Sequence, residues 1–321
     1  MKRFDPAGLG AYEMRLDPEV REFVALSNTW FPPETTSLPI ASQREIYNEM
    51  CRALHCGTPQ DVCRVDTAIH LVDRRLPVRR YRVANTEPAA VILYYHGGGF
   101  VLGDLDSHDD VCAALCDATG FEVNSVDYRL APEHRHPAAF EDACALFDWA
   151  AESQSAPLLL SGESAGGNLA AAVAHARREA PRAAIGQVLI YPTLGSAMQG
   201  PSYRDHAEAP MLSVRDLAHY RQARSSGAGP VNDPRFAPLD DGDFSGLPPT
   251  VIVTAEYDPL SSDGALYRSR IRDAGGLAHW YEAPGLVHSF LRARRFSSRA
   301  RDAFGQIAAA ARALGRGEWP Y

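Results

Sequence analysis

Long hydrophobic runs are missing from this chain. The longest uninterrupted apolar stretch, residues 89–95, covers seven positions, far below the ~20 that a bilayer-spanning helix needs. No apolar run follows Lys2-Arg3, so no secretory leader is expected. Basic charge is not in excess either. The 32 Lys and Arg against 40 Asp and Glu give a formal charge of −8. That balance argues against nucleic acid as a partner, because binding phosphate needs a basic face, and against an anionic membrane surface. Cysteine is scarce, with six in 321 residues: Cys51, Cys56, Cys63, Cys112, Cys116 and Cys144. Without a leader the expectation is reduced thiols and a cytoplasmic location. Cys112 and Cys116 lack a matching Cys or His pair at zinc-site spacing, so no metal is expected. No repeat and no low-complexity tract interrupts the chain.

What is present is an alternation of strand and helix signals from about residue 62 onward. The strand candidates are 63–72, 78–83, 90–95, 121–126, 157–161, 187–191, 250–255 and 277–282. Several are short continuous apolar runs such as "VILYY" and "TVIVTA", the pattern of strands covered on both faces. Helix candidates are 106–118, 138–153, 165–179, 262–274 with Gly275 as a stop, and 299–314. No helix separates the first two strands, so they start the sheet antiparallel. The prediction is an α/β fold: an eight-stranded, mostly parallel sheet flanked by helices.

Two regions break the alternation. Residues 1–55 read as helical, with Asp17-Pro18 opening one helix and Ser42…Glu45 forming a capping box for another. Residues 195–245 hold Gly, Pro, Ser and charges around one helical stretch, 214–224. Both are read as a helical cap over the carboxyl edge of a catalytic domain spanning 56–321. Trp30, Phe31 and Met211 are its candidate pocket-lining or cap-core residues.

The most informative segment is "LLLSGESAGGNL" at 158–169. A buried strand runs through Gly-x-Ser-x-Gly into an Ala-rich helix, the context in which this pattern presents a nucleophile. Gly162 and Gly166 remove side chains that would collide in so tight a turn. Ser164 is then held in a strained conformation above the sheet edge. A second strand ends in His96-Gly97-Gly98-Gly99-Phe100. Three glycines in a row are costly unless the backbone must approach a ligand, and acyl transfer needs N–H donors around a developing oxyanion. Gly98, Gly99 and the Ala165 amide are assigned that role. His96 is read as a residue that shapes this loop.

An activated serine needs a base and a carboxylate that orients it, in the chain order Ser…Asp…His on this kind of sheet. Of His175, His206, His219, His279 and His288, only His288 follows a strand end in a position to reach Ser164. The acid candidates are Asp258, just past the strand "TVIVTAEY", then Glu256, then Asp263.

Together, "HGGGF", "DYRLAPE", "GESAGG", "EYDPL" and "VHSF" resemble the hormone-sensitive-lipase-like branch of α/β-hydrolase esterases across residues 91–290. The resemblance implies a Ser164–Asp258–His288 triad, an oxyanion hole of Gly98, Gly99 and Ala165, and a cap from the N-terminal segment and a later insertion. It also implies hydrolysis of small-molecule esters with short to medium acyl chains and no cofactor. Amide or lactone hydrolysis, and a silent ligand-binding role, are the alternatives on the same scaffold. Glu163 departs from the Asp more usual in this branch, a change that bears on how the elbow is buttressed. Arg129 and Glu133 are expected to pair and pin a loop. The exposed edge of the final strand suggests a homodimer.

Overall fold

The computed structural model describes residues 9–227 and 229–321. The Lys2-Arg3 pair, the rest of residues 1–8 of the N-terminal segment, and Ala228 within 195–245 lie outside the described residues.

The strands are β1 (Val62–His70), β2 (Arg75–Val83), β3 (Val91–Tyr95), β4 (Glu122–Val126), β5 (Leu158–Glu163), β6 (Gly186–Ile190), β7 (Thr250–Tyr257) and β8 (Ala278–Val287). They form one eight-stranded sheet in the order β1-β2-β4-β3-β5-β6-β7-β8. β2 runs antiparallel to β1 and β4, and every other neighbouring pair is parallel. The helices are α1 (Pro18–Trp30), α2 (Ile40–Leu54), α3 (Asp109–Thr119), α4 (Ala138–Ser153), α5 (Ala165–Arg177), α6 (Pro201–Asp205), α7 (Val214–Ser225), α8 (Ser261–Asp273) and α9 (Ser298–Gly315).

The continuous apolar runs are explained by two cores. Alternate residues of β3 face opposite sides. Ile92 and Tyr94 join one core, with Val111 and Cys112 of α3 and Ile307 of α9. Val91, Leu93 and Tyr95 join the other, with Phe147 of α4, Leu169 of α5 and Tyr267 of α8. A strand sandwiched this way has no face left for polar residues.

Three local expectations need correction. Ser42 does not cap α2. That helix starts three residues earlier, at Ile40 after Pro39, with no side-chain cap. The Gln43 amide ties its first turn to the carbonyls of Thr36 and Leu38, which draws the start forward. Arg129 does not pair with Glu133. Its guanidinium meets Asp142 and Glu141 on α4, while Glu133 takes a two-pronged contact from Arg44 of α2. The last strand does not stop near residue 282 but continues to Val287, with an irregularity in its register against β7 at Ala255–Tyr257. β8 lies at the sheet edge. No helix among the described residues is long and apolar enough to cross a membrane, and the six cysteines form no disulfide.

Candidate active site

Parallel strands deliver their carboxyl ends to one edge, and the segments singled out in the sequence emerge there. β5 ends at Glu163, and Ser164 forms the turn into α5. Ser164 has φ +56° and ψ −116°, a strained backbone for a non-glycine residue. A side-chain carbon at Gly162 would strike the Gly166 carbonyl, and one at Gly166 would strike the Tyr95 carbonyl. The turn is fixed further by the Ser164 amide, which donates to Ile190 O at 2.9 Å.

Strand register positions the other two groups. Tyr257 on β7 pairs with Val287 on β8, so the next residue of each chain segment, Asp258 and His288, leaves the sheet side by side. His288 Nδ1 lies 2.7 Å from Asp258 Oδ2, and His288 Nε2 lies 3.0 Å from Ser164 Oγ. Asp258 is fully buried, and its second oxygen accepts from the Leu260 amide at 2.9 Å.

The competing residues are engaged elsewhere. Glu256 accepts from the Gly285 amide at 2.7 Å. Asp263 accepts from the amides of Leu194 and Gly195 and from the Tyr203 hydroxyl. Burial raises its pKa to about 6, against those hydrogen bonds. His175 meets Asp241, His206 meets the Tyr12 hydroxyl, and His279 stacks on Tyr321.

The glycine loop follows β3, whose Tyr95 pairs with Gly162 of β5, so loop and elbow are neighbours. Gly98 has φ +111° and Gly99 φ +62°, conformations that favour glycine. The Gly98 carbonyl closes the turn by accepting from Val101 and Leu102, while the amides of Gly98 and Gly99 find no acceptor among the described residues. The Ala165 amide heads α5, where no intrahelical partner exists. All three residues line the cavity that contains Ser164 and His288. His96 donates from Nδ1 to Gly97 O at 2.7 Å, and its ring stacks on Tyr128. Burial, with His108 beside it, pushes the His96 pKa down to about 4.

Glu163 buttresses this loop. Its Oε1 accepts from the Gly97 amide at 2.6 Å and lies 2.6 Å from His108 Nε2. Burial alone would raise the Glu163 pKa, but His108, Arg292 and Tyr191 hold it below the usual carboxylate range. Arg292 reaches His108, the Ser107 carbonyl and the Tyr47 hydroxyl. Sequence reasoning singled out Glu163 but missed its partners His108 and Arg292. They lie 184 residues apart in the chain, and no spacing rule joins them.

The cavity has a volume of about 160 Å³. Its walls come from both non-sheet regions: Phe31 and Tyr47 on one side, Met211, Tyr220 and Arg224 on the other. Trp30 is 41% exposed and lies outside this lining. Among the described residues no cluster of His, Cys, Asp and Glu is arranged to hold a metal ion.

A doubly wound sheet with a serine on a strained strand-to-helix turn defines the α/β-hydrolase class. The chain belongs to that family: the alpha/beta hydrolase fold profile matches residues 92–292. It is 36% identical to the carboxylic ester hydrolase LipN of Mycobacterium tuberculosis over 266 residues, covering 78% of this chain and 70% of that one. It is 37% identical to the ethyl acetate hydrolase of Pseudomonas putida over 231 residues, covering 68% and 72%. Among solved structures, a Pyrobaculum calidifontis esterase superposes with a TM-score of 0.85 at 32% identity, covering 93% of this chain and 99% of that one.

Proposed function

We propose that this chain is a serine carboxylesterase of the hormone-sensitive-lipase-like type, acting on short- to medium-chain carboxylic esters. The observation that carries the reading is the continuous contact Ser164 Oγ–His288 Nε2–His288 Nδ1–Asp258 Oδ2, at 3.0 and 2.7 Å. Its relatives and structural neighbours are carboxylic ester hydrolases by name, which supports ester over amide chemistry.

Ser164 Oγ attacks the ester carbonyl carbon as its proton passes to His288 Nε2. Asp258 accepts from Nδ1–H, fixes the tautomer and stabilises the imidazolium. The carbonyl oxygen becomes an oxyanion facing the amides of Gly98, Gly99 and Ala165, each worth ~3 kcal/mol of barrier. His288 gives its proton to the leaving alkoxide and the C–O bond breaks, leaving an acyl-enzyme. Water, deprotonated by His288, then attacks the acyl carbon. Collapse returns the proton to Ser164 and releases the acid. The described parts of residues 1–55 and 195–245 act as the cap in this scheme.

The test is a panel of p-nitrophenyl esters from acetate to palmitate, on the wild type and on Ser164→Ala. Acetate to hexanoate are turned over well, palmitate poorly, and the variant is almost inert. Wild-type rates in Ser164→Ala would refute the nucleophile.

A further inference from the structure

The cavity is electrostatically lopsided. The protein carries a formal charge of −8, yet Glu163 is the one acidic side chain lining this cavity among the described residues. Glu163 is already committed to Gly97 and His108. From α7, Tyr220, Arg221 and Arg224 line the same cavity, so this helix brings two guanidinium groups to it.

Arg224 is the unusual one. It is 5% exposed, and buried charges are normally paired with an opposite charge. Its polar contacts are all neutral. Nη1 donates to Phe236 O at 3.0 Å, and Nη2 lies 3.4 Å from Asn168 Oδ1 and 3.5 Å from Arg235 O. The guanidinium carbon lies 3.5 Å from the centroid of the Phe100 ring and 4.2 Å from that of Phe236. No carboxylate among the described residues comes within ion-pair distance. The nearby Asp233 spends its oxygens on Arg235 and His136. Burial, with Arg221 adding to it, brings the Arg224 pKa down to about 9, so the group remains a cation at neutral pH. Aromatic rings offset part of its desolvation. A carboxylate meeting the planar fork would offset far more.

We propose that this wall recognises an anion on the substrate: the preferred esters carry a carboxylate a short spacer from the scissile carbonyl, held by Arg224. The spacer follows from the helix. Asn168, which Arg224 contacts, is four residues past Ser164, roughly one turn or ~5.4 Å along α5. Half-esters of small dicarboxylic acids have that span. The inference rests on the esterase reading above and adds a substrate class to it.

The experiment measures kcat/KM for two matched pairs at neutral pH. The acyl side is tested with monoethyl glutarate against ethyl pentanoate. The alcohol side is tested with the acetate esters of para-hydroxybenzoate and para-hydroxyacetophenone. In at least one pair the wild type prefers the anionic member. Arg224→Gln lowers that anionic-to-neutral ratio about tenfold, and Arg224→Lys restores part of it. A wild type that favours the neutral member of both pairs, or a ratio that Arg224→Gln leaves unchanged, overturns the proposal. Calorimetry on the wild type covers the case in which the variant does not fold or no ester is cleaved. Glutarate binds at least about tenfold tighter than glutaramide, and equal affinities overturn the anion site. Absence of turnover on all four esters, with glutarate still bound selectively, would instead sink the hydrolase reading.

Discussion

The side chain of Glu163 reaches back 66 residues to hold the amide of Gly97 at 2.6 Å. The residue before the elbow serine thereby sets the position of the loop proposed to hold the oxyanion. A side-chain carbon at Gly97 would stand 2.5 Å from the same carboxylate oxygen, so any larger residue there would push Glu163 off this contact. Glu163→Gln keeps the length but removes the charge that His108 answers. The expected result is a kcat about tenfold lower, with KM within about threefold. Steady-state kinetics on a p-nitrophenyl ester decides it; an unchanged kcat in Glu163→Ala would show that the loop holds itself.

Asp258 and Glu256 are two positions apart but make unrelated contacts. Asp258→Asn is expected to lower kcat/KM by about ten-thousand-fold, because the imidazole loses the acceptor that fixes its tautomer. Glu256→Gln, at a carboxylate that meets the Gly285 amide and the Tyr257 hydroxyl and not His288, should stay within about threefold. A reversed order would move the acid to Glu256.

Glycines in this chain differ sharply in what surrounds them. At Gly166 a methyl group meets the backbone of Tyr95 and His96, and neither can yield without distorting the sheet. Gly166→Ala is expected to cost ~3 kcal/mol or more. Gly305, inside α9, has open space around the same position. Gly305→Ala should stabilise by ~0.5–1 kcal/mol. Thermal melting of the two variants measures both.

His96 makes stability depend on pH in one direction. Its folded pKa is about 4, below the ordinary 6.5. Its contribution is fully present above pH 6.5. As pH falls from there towards 4, the unfolded chain binds a proton that the folded chain refuses. The loss approaches ~3 kcal/mol. Urea unfolding across that range should show a shallower pH slope in His96→Gln; an identical slope would mean that His96 titrates normally in the fold.

The β-strands and the serine turn were readable because their causes are local. An apolar run covered on both faces advertises itself, and Gly162 and Gly166 flank Ser164 because backbone passes within contact of each. The antiparallel start and most helix positions followed from the same signals, although α2 begins ahead of Ser42 and α6 gave no signal; the proposed grouping of Ser164, Asp258 and His288 came instead from chain order and the family resemblance. What sequence could not supply was pairing across long separations. Arg44 takes Glu133, and Asp142 takes Arg129, whereas proximity in the chain suggested the wrong couple. The extension of β8 to Val287 was hidden by Pro284 and Gly285, which read as a loop but are tolerated near an irregular register at the sheet edge. Arg224 gave no signal at all, since one arginine in a polar helix looks like any other.

The cavity walls come from α1 and α2 at one end of the chain and from α7 near residue 220, while the serine, histidine and aspartate hang from strand termini. The proposed reacting groups and the cap-derived walls therefore sit on separate elements, joined at Tyr47, which Arg292 holds, and at Arg224, which meets Phe100 and Asn168. Under the esterase proposal, exchanges at wall positions away from those two joints, such as Met211, are the natural ground for redirecting the enzyme toward a new ester.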